Sequence, residues 1–450
     1  MHQGIHALLI IVTLGSSSVV HGAVTMPSVF DDNMVLQREL PVAVFGQADP
    51  GEAVTVSFAG ASKSTKAGDD GAWLVHLDPM SASAEGRTLT VTGTNTLTFK
   101  DVVVGEVWVG SGQSNMRWSV ARTQAGKEAM SGGSNPDIRL YMIPYPKETK
   151  QKGFKKADFW SWEISDQATI SKFSAVQYYF GVKLQKELGV PVGLICAARG
   201  SSSIGGWQVG GRFYDFMIKP MQPFTVRGVI WYQGESDVQR GTVDTYEAEF
   251  QRLITDWRDA WQSPEMPFYF VQIAPWSGSK YPADDLPKLW EAQVAALKLP
   301  NTGMAVVSDT VSTDTLSNIH PYTKVPAGER LALWALAKDH GKDVVYSGPL
   351  FKSAAVEGTS IRVSFAHAKG LRASDGKDLT EFRIAGADEK FVTAQAVIDG
   401  DTLDVSSPDV AAPKYVQFGW HNTALPNLVN AAGLPASPFQ SKDWKGGTGE

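Results

Sequence analysis

Four short segments carry the residue types that acyl transfer needs. Residues 110–116 read Gly-Ser-Gly-Gln-Ser-Asn-Met, directly after the apolar run Val107-Trp108-Val109. Two glycines permit a sharp turn, and a serine in such a turn presents its hydroxyl beside free backbone N–H groups. Ser114 is therefore a candidate nucleophile, with a helix N-cap as the structural alternative. A phosphate loop is excluded, because no Gly-Lys-Ser/Thr ending follows. The usual G-x-S-x-G elbow does not fit either, since Met116 stands where its last glycine belongs. Residues 198–207 follow the apolar run ending at Ile195 and are rich in Gly and Ser. Their backbone donors suit an oxyanion. Residues 231–237 read Trp-Tyr-Gln-Gly-Glu-Ser-Asp after Val229-Ile230. The Gln233 amide is a second oxyanion donor, and Glu235 with Asp237 could serve a glycosidase as an acid/base pair.

The fourth segment, residues 317–321, holds His320. An ester hydrolase needs a base near neutral pKa, and His fits. Of the eight histidines, His2, His6 and His21 fall in an N-terminal leader. His76 and His367 lie in β-rich regions, His340 follows a helix and His421 sits in a late loop. Only His320 lies in a loop that follows a strand of the α/β region. A carboxylate should orient it. Asp309 and Asp314 stand upstream in the same loop, and either could fold back. Cys196 is the single cysteine, so no intrachain disulfide forms, and it reads as a small buried hydrophobe.

The elements that must position these residues alternate. Across 104–340, apolar runs at 106–109, 191–195, 226–231, 267–273 and 304–307 are separated by helical patterns at 173–188 and 246–261, with a third at about 327–337. That order predicts a mostly parallel sheet covered on both faces, with ligands at the carboxyl ends of its strands. Residues 23–103 carry short strand-like runs between Gly, Asp and Pro clusters, as in a small sandwich. Residues 341–450 return to β, with Asp399-Gly400 as a hairpin turn.

Residues 1–22 have the order of a secretory signal peptide: polar, then the apolar run 7–15, then small residues. The run is too short to anchor in a bilayer, and no other stretch approaches the ~18 residues of a membrane span. The expected location is secreted or periplasmic. Among 450 residues, 41 Lys plus Arg against 47 Asp plus Glu give a net charge of -6. A mildly acidic chain is a poor partner for nucleic acid.

The four blocks together resemble the SGNH-hydrolase superfamily, and within it the sialate O-acetylesterase family. The resemblance rests on GSGQSNM, the Gly/Ser loop ending in Trp207, WYQGESD, and IHPYTK followed by GERLALWA. It extends to SVFDDNMVLQRELPVAVFG near the start and to FRIAGADEKFVTAQAVIDGDTLDVSSP and GLPASPF near the end. It implies an SGNH-hydrolase-like parallel-sheet sandwich (flavodoxin-like) flanked by β regions, and removal of acetyl groups from sialate or from a plant polysaccharide such as xylan or xyloglucan. By the resemblance Ser114 is the nucleophile and His320 the base. Oxyanion donation is carried onto Ser114 N–H, Gly200 N–H and the Gln233 side chain. Substrate contact is assigned to Trp207, Trp231 and Glu235, with Trp118 and Tyr232 as further aromatic candidates. No cofactor or metal is expected, and the partner is an acetylated oligo- or polysaccharide. Three departures stand out. The family loop often reads Trp-Gly-Gly-Thr-Pro-Ile-Glu-Ala-Trp, and here Ser201 replaces its second glycine and Gly205 its glutamate. Many members carry an aspartate three residues before the histidine; here that position is Ser317, so that either Asp309, preferred for its place at a strand end, or Asp314 substitutes, or the site is a Ser-His pair with His320 held by a backbone carbonyl. Two other readings compete: a secreted carbohydrate-binding protein without turnover, and a glycoside hydrolase using Glu235 and Asp237.

Overall fold

The computed structural model describes residues 23–145, 161–278, 282–444 and 446–448. The signal-peptide segment 1–22 lies outside the described residues. A twisted central sheet runs Thr302–Val306, Phe268–Gln272, Gly228–Tyr232, Thr96–Gly112, Val192–Ala198, Asn135–Met142, Trp162–Ser165. The first six strands are parallel and Trp162–Ser165 is an antiparallel edge. From the central strand Thr96–Gly112 the chain skips one position to Asn135–Met142 and the edge strand, returns to lay Val192–Ala198 in the gap, then crosses to the other side through Gly228–Tyr232 and builds outward there. The strand order thus reverses at Thr96–Gly112. In such sheets the reversal leaves a crevice beyond the carboxyl ends, where helices diverge to opposite faces.

The strand Thr96–Gly112 explains how two regions become one body. Residues 96–101 alternate between half-buried and exposed, and from Val102 onward every residue is buried. Alternation fits a strand with one wet face; a continuous buried run fits the middle of a parallel sheet. Its first half pairs with Ser83–Thr92 and Val35–Gln37, and its second half with the α/β strands. The boundary expected at 103/104 therefore falls inside a single strand, and one continuous core joins residues of both regions. The C-terminal region has its own core, centred on Val363, Leu403, Val416 and Phe439. Its Gln395–Asp399 and Thr402–Ser406 form the hairpin expected around Asp399-Gly400, with Gly400 at φ 61°.

The helices follow their patterns with shifted ends. Ala175–Leu188 starts two residues later than the apolar spacing indicates, because the Ser174 side chain accepts from Gln177 N–H at 3.2 Å. Gly189, at φ 64°, stops it. Val243–Ala260 and Val325–Lys338 correspond to the second and third expected helices. Asp285–Ala295 was not evident from spacing; Pro287 sits in its first turn, where a missing N–H costs nothing. Val243–Ala260 packs Phe250 and Trp257 onto Trp231, with ring centroids 6.2 and 6.0 Å apart. Each such buried side chain contributes on the order of 2–3 kcal/mol. That cluster holds the end of Gly228–Tyr232 in place.

Candidate active site

Three strand ends meet in register. Ala198 and Tyr232 both stand opposite Gly112. Gly112 has φ 126°, and a Cβ there would lie 2.2 Å from the Tyr232 carbonyl oxygen. Only glycine lets the central strand pass so close and turn. Gln113 N–H then donates to Tyr232 O at 2.9 Å, and the one-turn helix Ser114–Arg117 begins. Ser114 lies on the crevice side of this turn and is half-buried. The neighbouring Gln113 faces inward, its Oε1 accepting from Ser236 N–H at 3.1 Å.

His320 arrives from the loop after Thr302–Val306, and its Nε2 lies 2.8 Å from Ser114 Oγ. Its ring stacks on Trp118, with centroids 4.6 Å apart and planes 20° from parallel. The Arg122 guanidinium sits 3.7 Å from the Trp118 ring centroid. Asn318 Oδ1 accepts the His320 backbone N–H at 2.9 Å. Burial, reinforced by the positive charges of Lys324 and Arg122, pushes the His320 imidazole down to about 4. Two residues 206 positions apart in sequence thus form a hydroxyl–imidazole pair with the base neutral at ordinary pH. The expected result is a kcat/KM profile flat above pH ~5 that falls about tenfold per unit below pH 4. The free-enzyme pH profile checks this; an acid limb near 6.5 would contradict it.

The structure does not bring Asp309 to His320. Its two carboxylate oxygens grip the two terminal nitrogens of Arg330 at 2.6 Å each, and Arg330 also donates to Val306 O. A bidentate guanidinium leaves this carboxylate committed to the sheet end. Asp314 is exposed. Among the described residues no Asp or Glu forms an ion pair with His320. Asp309→Asn is accordingly expected to leave kcat/KM within about threefold of the parent, measured as ester turnover, where loss of a triad aspartate costs ~10⁴-fold.

Gln233 is also corrected. Its Nε2 donates to Ser202 O at 3.0 Å and to the Asp237 carboxylate, while Tyr246 donates to its Oε1. Both amide hydrogens are consumed within the core, so the side chain shapes the 199–207 loop and does not reach an oxyanion. That loop is set by Arg199 N–H on Gly112 O at 3.0 Å, Ser202 Oγ on Arg199 O at 2.7 Å and Ile204 N–H on Asp237 at 3.1 Å. Gly200 comes so close to Ser114 that a Cβ on it would lie 3.6 Å from Ser114 Cβ. The N–H groups of Gly200 and Ser114 make no hydrogen bond within the described residues. Two backbone donors next to one hydroxyl are sufficient for an oxyanion hole. Ser201, where the family has glycine, holds φ 59°, the conformation that favours glycine.

Trp207 and Trp231 are not sugar platforms. Both are fully buried; Trp207 Nε1 donates to Ser202 Oγ, and Trp231 packs against Trp257. Tyr232 is likewise core. Glu235 is buried behind the nucleophile turn, with Oε1 accepting from Asn115 Nδ2 at 2.5 Å. Asn115 Oδ1 accepts from the buried Lys324 Nζ at 2.5 Å. Burial raises the Glu235 carboxyl and lowers the Lys324 ammonium, each partly opposed by the other's charge. Asp237, pushed up to about 6 by burial, accepts from Gln233, Ile204 and Thr242. Neither carboxyl is disposed as a glycosidase acid or base.

Sequence reasoning passed over Asn115, Lys324 and Tyr322. Tyr322 is 52% exposed two residues beyond His320, on the rim of a cleft of about 440 Å³ that Arg122, Gln124 and Thr315 also line. The only signal for it was its place in the segment after His320. The loop carrying His320 is braced from outside: Ser277 N–H donates to Leu316 O at 2.8 Å, and Trp276 N–H to Asn422 O of the C-terminal region at 2.9 Å.

Comparison with known proteins places this geometry. Residues 104–336 match the family model described as carbohydrate esterase, sialic acid-specific acetylesterase. The human sialate O-acetylesterase is 31% identical over 381 residues, covering 72% of each chain. The mouse sialate O-acetylesterase is 28% identical over 408 residues, covering 72% of this chain and 75% of its own. The crystal structure of a carbohydrate acetylesterase from Xanthomonas citri superposes with a TM-score of 0.85 at 35% identity, over 94% of this chain and all of that one. A family model matching more than half of the chain, a relative above 30% identity over most of it and an α/β fold shared almost end to end agree, and the chain belongs to the sialic acid-specific acetylesterase family of carbohydrate esterases.

Proposed function

We propose that the protein is a serine-dependent O-acetylesterase that removes acetyl groups from sugar hydroxyls of an oligo- or polysaccharide, sialate or plant glycan. The observation that carries the reading is the 2.8 Å contact between Ser114 Oγ and His320 Nε2 at the point where the strand order reverses. His320 Nε2 takes the hydroxyl proton as Ser114 Oγ attacks the acetyl carbonyl. The N–H groups of Ser114 and Gly200 hold the tetrahedral oxyanion. The C–O bond to the sugar breaks, and His320 returns the proton to the departing alkoxide. Water, deprotonated by the same imidazole, then attacks the acetyl-serine and releases acetate. The low imidazole pKa keeps His320 unprotonated before attack. The sugar lies in the cleft rimmed by Arg122, Gln124, Thr315 and Tyr322, in place of Trp207 and Trp231. The leader at 1–22 directs the chain out of the cytoplasm; no helix among the described residues is long and apolar enough to cross a membrane.

Acetate release from O-acetylated sialic acid, acetyl-xylan and acetyl-xyloglucan tests the reading, with Ser114→Ala as the blank. Release from at least one, absent in the variant, is expected. Saturable glycan binding with no acetate from any of them would instead favour a binding protein.

A further inference from the structure

We propose that Asn115, clamped between the buried Lys324 and Glu235, is the positioning residue that sets His320 against Ser114 in place of a carboxylate on the imidazole. The proposal rests on the serine-esterase reading of this site. Asn115 is the residue next to the nucleophile. Its Nδ2 donates at 3.0 Å to the carbonyl of Ile319, the peptide directly before His320, across 204 positions of sequence. The second Nδ2 hydrogen goes to Glu235 Oε1, and Oδ1 accepts from Lys324 Nζ. The amide has one workable orientation. Exchanging its oxygen and nitrogen would set a donor against the lysine ammonium and an acceptor against the carboxylate.

Lys324 stands four residues beyond His320, at the start of helix Val325–Lys338. The catalytic loop is therefore tied to one side chain on both sides of the histidine, at Ile319 and at Lys324. The clamp is a costly arrangement: Lys324 is 1% and Glu235 2% exposed, and Glu235 Oε2 makes no hydrogen bond among the described residues. Apolar residues of similar volume would serve packing at least as well. What they would not supply is a fixed donor under the His320 peptide. The charged groups acting on the imidazole are Lys324 on its own loop and Arg122 on the segment carrying Trp118; both disfavour protonation. Trp118 covers one ring face.

The test is a set of variants assayed on p-nitrophenyl acetate and on an acetylated glycan, with labelling of Ser114 by a fluorophosphonate followed in parallel. Asn115→Ala is expected to lower kcat by about 100-fold, the effect of an ångström-scale misplacement, with KM within about threefold. Its labelling rate should fall to a similar degree. Lys324→Met should move the acid limb of kcat/KM upward, towards the ordinary histidine value of ~6.5, with burial, the larger cause, still holding it below that value. Glu235→Gln, which keeps an acceptor for Asn115, should retain kcat within about tenfold, as rescue by shape. A kcat for Asn115→Ala within threefold of the parent overturns the proposal, and so does an unmoved acid limb in Lys324→Met. If Asn115→Ala does not fold, by circular dichroism, the limb shift in Lys324→Met and the Glu235→Gln turnover decide. Failure of the glycan reading is distinguishable: the parent would then label at Ser114 yet release no acetate from sugar, and the labelling rates would still report the positioning.

Discussion

Ser114→Ala is expected to lower kcat/KM for ester hydrolysis by about 10⁴-fold or more while leaving the fold intact. Both halves follow from the same geometry. Among the described residues Ser114 Oγ makes one hydrogen bond, to His320 Nε2, and the residue starts a one-turn helix without capping it. Its removal deletes no buried partner, so stability should change by less than about 1 kcal/mol. Ser202 is the instructive contrast. Its hydroxyl donates to Arg199 O and accepts from the buried Trp207 Nε1. Ser202→Ala strands an indole N–H, which costs about 1–3 kcal/mol and loosens the loop that carries Gly200. One serine variant should therefore be stable and inactive, the other destabilised and partly active. Thermal melting and turnover, measured on both proteins, separate them. A glycosidase would respond differently: Ser114→Ala would spare it. Parental turnover in Ser114→Ala would remove the serine mechanism altogether.

The parallel sheet was legible because continuous apolar runs alternated with helical spacing, and Ser114 and His320 were legible because each followed such a run. What the sequence hid is a matter of partners. Asp309 reads like an orienting acid until Arg330, 21 positions on in a helix, is seen to take both its oxygens. Gln233 reads as a donor facing the crevice, yet Ser202 and Asp237 claim its hydrogens from within. Trp207 and Trp231 have the composition of sugar platforms and the burial of core residues, and composition alone does not separate the two. Lys324 was unreadable for the opposite reason. A lysine in a loop is ordinarily solvated, and its burial depends on Asn115 and Glu235, each brought by a different strand end. The change of character at 103/104 marks a change in what covers the strand Thr96–Gly112, while the strand itself continues.

That continuous strand underlies the second large effect: Gly112→Ala is expected to destabilise the protein by about 3 kcal/mol or more and to cut kcat/KM of the folded fraction by at least ~10²-fold. At φ 126° an alanine is strained whatever the space around it, and here the space is absent. The added Cβ would stand 2.2 Å from Tyr232 O and 2.7 Å from Tyr232 C, which are backbone atoms in a buried ladder and have no rotamer to change. Relief requires the strands to separate, and three parts of the site hang on that contact. Gln113 N–H, one residue before the nucleophile, bonds to Tyr232 O. Arg199 N–H, one residue before the Gly200 donor, bonds to Gly112 O. Ser114 itself is two residues along. A shift at Gly112 thus moves nucleophile and oxyanion donors relative to each other, and both must hold their places for the tetrahedral intermediate to be stabilised. Gly205 is the matched control. It lies in the same loop as Gly200, its φ is ordinary, and a Cβ there would meet nothing within 4 Å. Gly205→Ala should keep stability within about 0.5 kcal/mol and turnover within threefold. Denaturant unfolding and kcat/KM of both variants give the comparison. Equal behaviour of the two would mean that the meeting of Gly112 with Tyr232 does not fix the site.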